Sequence, residues 1–168
     1  MTEDEHKILN KITAVSDDFL AEIGRITAHF ALLERDMIEL VHNLLGLKPR
    51  LARAITSELS FRGLQQLAAS LLREQQPEKV EQFEKILNRS SKAEEKRNSI
   101  QHSLWGSGQF RKDGTPLVIR TKFTAKQRKG LNFVREEMSV QDLRKIAHEI
   151  SIAAYDVEMF NINLRSAA

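Results

Sequence analysis

The sequence contains no cysteine, and it has only 3 prolines and 7 glycines among 168 residues. Without cysteine there is no disulfide framework, no thiolate ligand for zinc or an iron–sulfur cluster, and no cysteine nucleophile. So few glycines and prolines argue against collagen-like, linker-rich and many-turned β-sandwich classes. No apolar run approaches the roughly 18 residues of a membrane span. The amino-terminal MTEDEHK is acidic where a signal peptide is basic, so we expect a cytoplasmic protein with no membrane partner.

Motifs for metals and for phosphate-cradling loops are missing as well. The 5 histidines form no HExxH or HxH pair, and no GxxxxGK[ST], GxGxxG or GxSxG sequence occurs. Carboxylates are frequent but are spread over predicted helix surfaces, where they serve solubility and i,i+4 pairing. We therefore expect neither a metal site nor a cofactor.

Charge is distributed unevenly along the chain. The formal net charge is +3, yet the stretch from Gly106 to Gly130, which we name the basic segment, holds seven basic residues and one acidic residue, a net charge of +6. The basic residues are Arg111, Lys112, Arg120, Lys122, Lys126, Arg128 and Lys129. Such a segment can contact phosphates. The alternative is that the segment is a solvent-exposed hairpin, in which these basic residues contribute to solubility and bind no phosphate.

Apolar residues recur at helical spacing over most of the chain. The longest stripe runs from Phe19 to Leu44 and predicts a helix of about 28 residues that begins near Ser16 and ends before Gly46. Further helices are predicted around Leu64–Leu72, with a weaker and kinked stretch before them, then from Pro77 to about Leu104, and from Ser139 to Leu164.

The pattern changes between the third of these helices and the last. Asp113-Gly114 is a turn signal between the predicted strands Gln109–Lys112 and Thr115–Phe123, and Leu131–Val134 is a third short strand. We predict one mainly α domain over residues 1–168. It is an antiparallel helical bundle of four to five helices, with a small β-hairpin or sheet inserted at about 106–135, before the last helix.

The run KRNSIQHSLW, residues 96–105, contains several side chains that could take part in catalysis or binding. On a helix with about 100° per residue, Ile100 and Leu104 face the core together. Asn98, His102 and Trp105 point away from that core, and Arg97 lies on the flank. Because a large apolar ring exposed to solvent usually has a partner, an outward Trp105 indicates a surface that contacts another molecule.

This run resembles a family signature. Arg97-Asn98-x-x-x-His102 is similar to the RxxxxH motif of HEPN domains, and RNSIQHSLW looks like the RN-x-x-x-H-small-x-W form of bacterial HEPN-like proteins. The resemblance covers residues 16–105 and 140–164. Arg35-Asp36 with His42 is a second match to the spacing, but it lies inside a predicted helix, and we interpret it as a solvated or dimer-facing surface.

The resemblance implies a metal-independent endoribonuclease that acts as a toxin or an antiviral defence effector. His102 would be the proton acceptor and donor, Arg97 would orient the phosphate, and Asn98 would hold the geometry. Lys96 and the basic segment would contact RNA, and Trp105 would stack on a base or bury a dimer interface. The implied partners are RNA, a second copy that completes the cleft, and an antitoxin or regulatory protein.

Two other interpretations stay open at this point. In the first, the chain is a non-catalytic HEPN-like dimeric binding module: Arg97 caps helix-end carbonyls, His102 is satisfied by a neighbour, and Trp105 packs in the dimer. In the second, the chain is a helical interaction protein outside the HEPN family whose basic segment binds nucleic acid without cutting it.

Overall fold

The computed structural model describes residues 15–110, 112, 116–126 and 130–166. These residues form five α-helices and one sheet: α1 (Asp17–Leu45), α2 (Pro49–Thr56), α3 (Phe61–Gln75), α4 (Val80–Gln101), β1 (Leu104–Phe110), β2 (Pro116–Lys126), β3 (Gly130–Glu137) and α5 (Val140–Ser166). A turn of 3-10 helix, Pro77–Lys79, precedes α4. The predicted fold class, mainly helical with a small sheet before the last helix, is confirmed.

The first helix begins and ends where its sequence signals predicted. The carbonyl of Ser16 accepts hydrogen bonds from the amides of Phe19 and Leu20, and Asp17 and Asp18 place negative charge at the positive end of the helix. At the other end Gly46 has a φ of 61°, a left-handed conformation that glycine adopts without steric cost. The helix therefore stops at Leu45.

Hydroxyl caps define the starts of α3 and α5. The Oγ of Ser60 accepts a hydrogen bond from the amide of Gly63 at 3.2 Å, so the predicted kink is a true break between two helices. Ser139 and Asp142 form the predicted capping box. The Asp142 amide donates to Ser139 Oγ at 3.2 Å, and the Ser139 amide donates to Asp142 Oδ2 at 2.8 Å.

The chain divides into two compact units. The described residues of the helical unit lie within 26–97 and 146–166, and those of the sheet unit lie within 15–25 and 98–145. Helices α1, α4 and α5 contribute residues to both units.

The helical unit has an aromatic and aliphatic core. The rings of Phe83 and Phe160 stack with centroids 5.0 Å apart, and those of Phe30 and Phe61 meet edge to face at 5.0 Å. Buried aliphatic residues from α1, α3 and α5 belong to the same core: Ile26, Leu33, Met37, Leu40, Leu64, Leu72, Ile150 and Val157.

The sheet unit is built on the strand order β1-β2-β3, all antiparallel. Leu104 pairs with Thr121 at one end of β1, and Lys126 pairs with Gly130 at the far end of the β2–β3 ladder. Its own small core contains Phe19, Ile100, Val118, Met138 and Leu143, all buried. The predicted insertion is therefore a three-stranded sheet that begins at Leu104, ahead of the expected first strand.

Candidate functional site

Helix α4 ends within the motif, and this changes where its last side chains point. The helix stops at Gln101, the Ser103 hydroxyl donates to the carbonyl of Ser99 at 2.5 Å, and β1 begins at Leu104. Ile100 is 1% exposed, as predicted, but Leu104 is 66% exposed. The expectation that Leu104 faces the core with Ile100 was wrong, because helical angles cannot be continued into a strand.

His102 is the exposed member of the motif. It lies in the turn between α4 and β1, where its backbone amide donates to the carbonyl of Asn98 at 3.2 Å. Within the described part of the chain, no side chain or carbonyl hydrogen-bonds its imidazole. Asn98, one turn earlier, is half-buried. Both residues belong to the sheet unit, and the outward direction predicted for His102 agrees with its exposure.

Arg97 is the last residue of the first segment of the helical unit and packs against the core of that unit. Its guanidinium carbon lies 4.0 Å from the centroid of the Phe30 ring, and Phe30 is buried. A cation over an aromatic face contributes about 0.5–2 kcal/mol, depending on desolvation. The half-buried Arg97 therefore has a packing role in the helical unit, whatever other role it has.

The sequence had placed Trp105 on the outward surface of the helix, but the structure does not. Trp105 lies in β1, its indole Nε1 donates to the carbonyl of Ile100 at 3.2 Å, and its ring centroid is 6.5 Å from that of Phe19. The ring is half-buried. The hydrogen bond anchors the indole to the end of α4, so Trp105 is a structural residue of the sheet unit rather than an open stacking surface.

Arg120 is also turned inward. Its guanidinium donates to the carbonyl of Ser99 at 3.0 Å and to the Ser99 hydroxyl, and it forms an ion pair with Glu136 at 2.5 Å. The residue is buried. The expectation that Arg120 contacts RNA conflicts with this arrangement, because its donors are already directed at protein acceptors.

The other predicted RNA contacts differ in exposure. Lys112 is exposed in a turn, and Lys122 is half-buried on β2. Lys96 forms an ion pair with Glu149 of α5, within the helical unit. Arg111, Arg128, Lys129 and the side chain of Lys126 lie outside the described residues.

A cavity of the helical unit adjoins Lys96. It has a volume of about 350 Å³ and is lined by Arg89, Lys92, Ala93, Lys96, Glu149 and Ile152. Arg89 forms an ion pair with Asp156, so two of the three cations at this cavity are neutralised by α5. Sequence reasoning missed Arg89 and Lys92. Their signal is the spacing of three and four residues that places them on one face of α4 with Lys96.

The second motif match forms a polar cleft in the helical unit. Arg35 and His42 both line a cavity of about 540 Å³. Arg35 donates to Asp36 Oδ1 from Nε at 2.9 Å and from Nη2 at 2.6 Å, and Nε2 of His42 lies 2.9 Å from Thr56 Oγ1. Burial raises the pKa of Asp36, and the Arg35 hydrogen bond opposes that rise. Arg35 and His42 of this cleft therefore each hydrogen-bond a neighbouring side chain.

Comparison with known proteins identified no relative. No family model, no curated protein and no solved structure matches this chain. Among the described residues no three His, Asp or Glu side chains are grouped to hold a metal ion, and no helix there is long and apolar enough to cross a membrane.

Proposed function

We propose that this chain is a metal-independent endoribonuclease of the HEPN type, with His102 as the residue that moves protons. The observation that carries the proposal is the exposed imidazole of His102 at the end of α4, without a protein hydrogen-bond partner among the described residues. Histidine titrates near neutral pH, so it can accept a proton in one form and donate it in the other. The resemblance of the sequence around it supplies the reaction class.

The reaction uses the RNA itself as nucleophile. Neutral His102 accepts the proton of a 2′-hydroxyl while that oxygen attacks the adjacent phosphorus. The O2′–P bond forms, the P–O5′ bond breaks, and the proton that His102 accepted passes from its imidazolium to the departing 5′-oxygen. The products are a 2′,3′-cyclic phosphate and a 5′-hydroxyl end. DNA has no 2′-hydroxyl and is not a substrate.

Arg97 and Asn98 have supporting roles in this proposal. The guanidinium supplies charge-assisted hydrogen bonds to phosphate oxygens, which stabilise the charge that develops there. Packing on Phe30 restricts the motion of Arg97, which lowers the entropy lost when it binds a phosphate. Asn98 holds the geometry of the helix end. A second copy of the chain completes the cleft, an antitoxin or regulatory protein restrains it, and the protein acts in the cytoplasm.

A specific observation favours a second candidate, a non-catalytic interaction module that binds nucleic acid. Arg97 packs on Phe30, Trp105 is bonded to Ile100, and the RNxxxHSxW signature therefore has a packing role at two positions. In that case His102 is an ordinary surface residue, and its replacement changes neither folding nor function.

Cleavage of total cellular RNA in EDTA separates the two candidates. The wild type, His102→Ala and the matched control His148→Ala, an exposed histidine of α5, are purified and compared, and the 3′ ends of the products are mapped. We expect cutting that leaves cyclic phosphates, is lost in His102→Ala, and is retained in His148→Ala. Equal cutting by all three proteins would reject His102 as the catalytic residue, and no cutting by a folded wild type would reject the nuclease.

A further inference from the structure

Two phenylalanines lie side by side on an open face of the sheet. Phe123 of β2 and Phe133 of β3 are directly paired, with ring centroids 6.4 Å apart and planes inclined by 34°. They are 56% and 62% exposed. Because exposing two aromatic rings to water forfeits much of their burial energy, such a pair usually marks a surface with a partner.

Strand alternation defines what else shares this face. Thr121 and Arg135 are paired one row away, and Leu104 of β1 is opposite Thr121. Arg135 is exposed, and so is Leu104. We name Leu104, Thr121, Phe123, Phe133 and Arg135 the open face. On the opposite face Val118 and Arg120 are buried, whereas Val134 and Glu136 are exposed, so that face is covered at Val118 and Arg120.

We propose that the open face binds single-stranded RNA, with unpaired bases stacked on Phe123 and Phe133 and a phosphate held by Arg135. Aromatic side chains on a sheet are a common platform for unpaired bases, because every base has a π-face. Arg120 of β2 is paired with Glu136 and Lys122 lies on the opposite face, so the charge on this face that attracts a polyanion is that of the exposed Arg135. The choice of RNA rests on the proposed function, whereas the stacking geometry does not.

Charge favours RNA over a second copy of the chain as the occupant. A symmetric dimer through this face would bury the exposed Arg135 of both copies, and like charges in one interface repel. An RNA strand instead supplies the complementary charge. The RNA strand is expected to follow Phe123, Phe133 and Arg135 along this face.

Binding is tested with an RNA that cannot be cut. The probe is an unstructured 12-nucleotide RNA, 2′-O-methylated throughout and labelled with fluorescein, and affinity is measured by anisotropy. The test variant is Phe123→Leu with Phe133→Leu, which keeps apolar area and removes the π-faces. Tyr155→Leu, at an exposed aromatic of α5, is the matched control. We expect the double variant to bind about tenfold or more weakly, since stacking contributes strongly per base, and the control to bind as the wild type.

Arg135→Gln provides a second measurement that does not depend on the double variant folding. It is expected to lower the slope of log affinity against log salt concentration by about one, as for the loss of one phosphate contact. Unchanged affinity of a folded double variant together with an unchanged salt slope in Arg135→Gln overturns the proposal. A second outcome would also overturn it. If the wild type is a dimer, and the Phe123→Ala with Phe133→Ala variant is monomeric while the leucine double variant stays dimeric, the occupant of the face is a second copy of the chain.

The outcome is separable from that of the nuclease assay. If the methylated RNA binds through the open face but unmodified RNA is not cut, the stacking surface stands and the nuclease fails. If RNA is cut by His102 at the same rate with and without the two phenylalanines, the nuclease stands and the stacking surface fails.

Discussion

The helical unit and the sheet unit differ in where their phenylalanines lie. In the helical unit the phenylalanines stack on one another in the core, and charged residues such as Arg35 and Lys96 face acidic partners. In the sheet unit two phenylalanines are exposed, and His102 is open to solvent. The difference supports the proposal that the sheet unit carries surfaces for other molecules, with the helical unit as their scaffold.

The largest effect expected from this comparison is on the scaffold core. Phe83→Ala removes a ring that is fully buried and stacked on Phe160, so we expect a loss of about 3–5 kcal/mol in the free energy of unfolding. Leu104→Ala, on the open face, is expected to change it by less than about 0.5 kcal/mol. Urea denaturation followed by circular dichroism measures both. A costly Leu104→Ala would show that the open face is covered.

A smaller loss in the free energy of unfolding is expected at Arg120, whose side chain makes polar contacts within the sheet unit. Arg120→Ala leaves Glu136 and the acceptors on Ser99 without their donor, and we expect a loss of about 2 kcal/mol. Lys122→Ala, two residues along β2, is the matched control and should cost less than about 0.5 kcal/mol. Thermal unfolding monitors both variants. Equal stability of the two would contradict the inward role of Arg120.

The capping box of α5 is expected to contribute about 1 kcal/mol at neutral pH. Two hydrogen bonds from Ser139 lower the pKa of Asp142: the one from the hydroxyl has the larger effect, and the one from the backbone amide has the smaller effect. A carboxyl with a lowered pKa stabilises the fold above its unfolded pKa, and this stabilisation disappears as pH falls through the folded value. Asp142→Asn should therefore be destabilising at pH 7 and nearly neutral at pH 2. A cost independent of pH in urea titrations would contradict this.

The buried carboxyl of the helical unit is expected to show the opposite pH dependence. Burial raises the pKa of Asp36, so the folded state binds its proton more tightly than the unfolded state. Its contribution is most favourable below the unfolded pKa and is lost as pH rises through the folded pKa. The stability of the wild type relative to Asp36→Asn should accordingly decline as pH rises through that window. Parallel pH profiles of the two proteins would show that Arg35 fully offsets the burial.

Much of the fold follows from local sequence signals. The apolar stripe from Phe19 to Leu44, the glycine at 46 and the Ser139–Asp142 box each act within a few residues, so helix ends could be placed without the tertiary structure. The strand signals correctly placed the sheet before α5, but they predicted that the first strand begins at Gln109, whereas it begins at Leu104. The helix-to-strand change after Gln101 was missed because leucine and tryptophan suit both structures, and packing on Phe19 decides between them.

The candidate site was less predictable than the fold, for physical reasons. Outward exposure of His102 followed from helical geometry, because the residue lies just after the last helical turn. The roles of Arg120 and Trp105 could not be predicted from helical geometry. Each side chain donates a hydrogen bond to a carbonyl of α4, and only folding brings that carbonyl close to the side chain. The pairing of Phe123 with Phe133 depends on strand register, which composition does not define.

Cleavage of one end-labelled RNA with a single 2′-deoxy nucleotide at a mapped cut position tests the central claim most directly. The account predicts that the wild type cuts the all-ribose strand at that position in EDTA, that the single deoxy substitution abolishes this cut, and that cuts elsewhere on the strand are unaffected. Continued cutting at the deoxy position would contradict the account, because the nucleophile would then not be the 2′-hydroxyl that His102 is proposed to deprotonate.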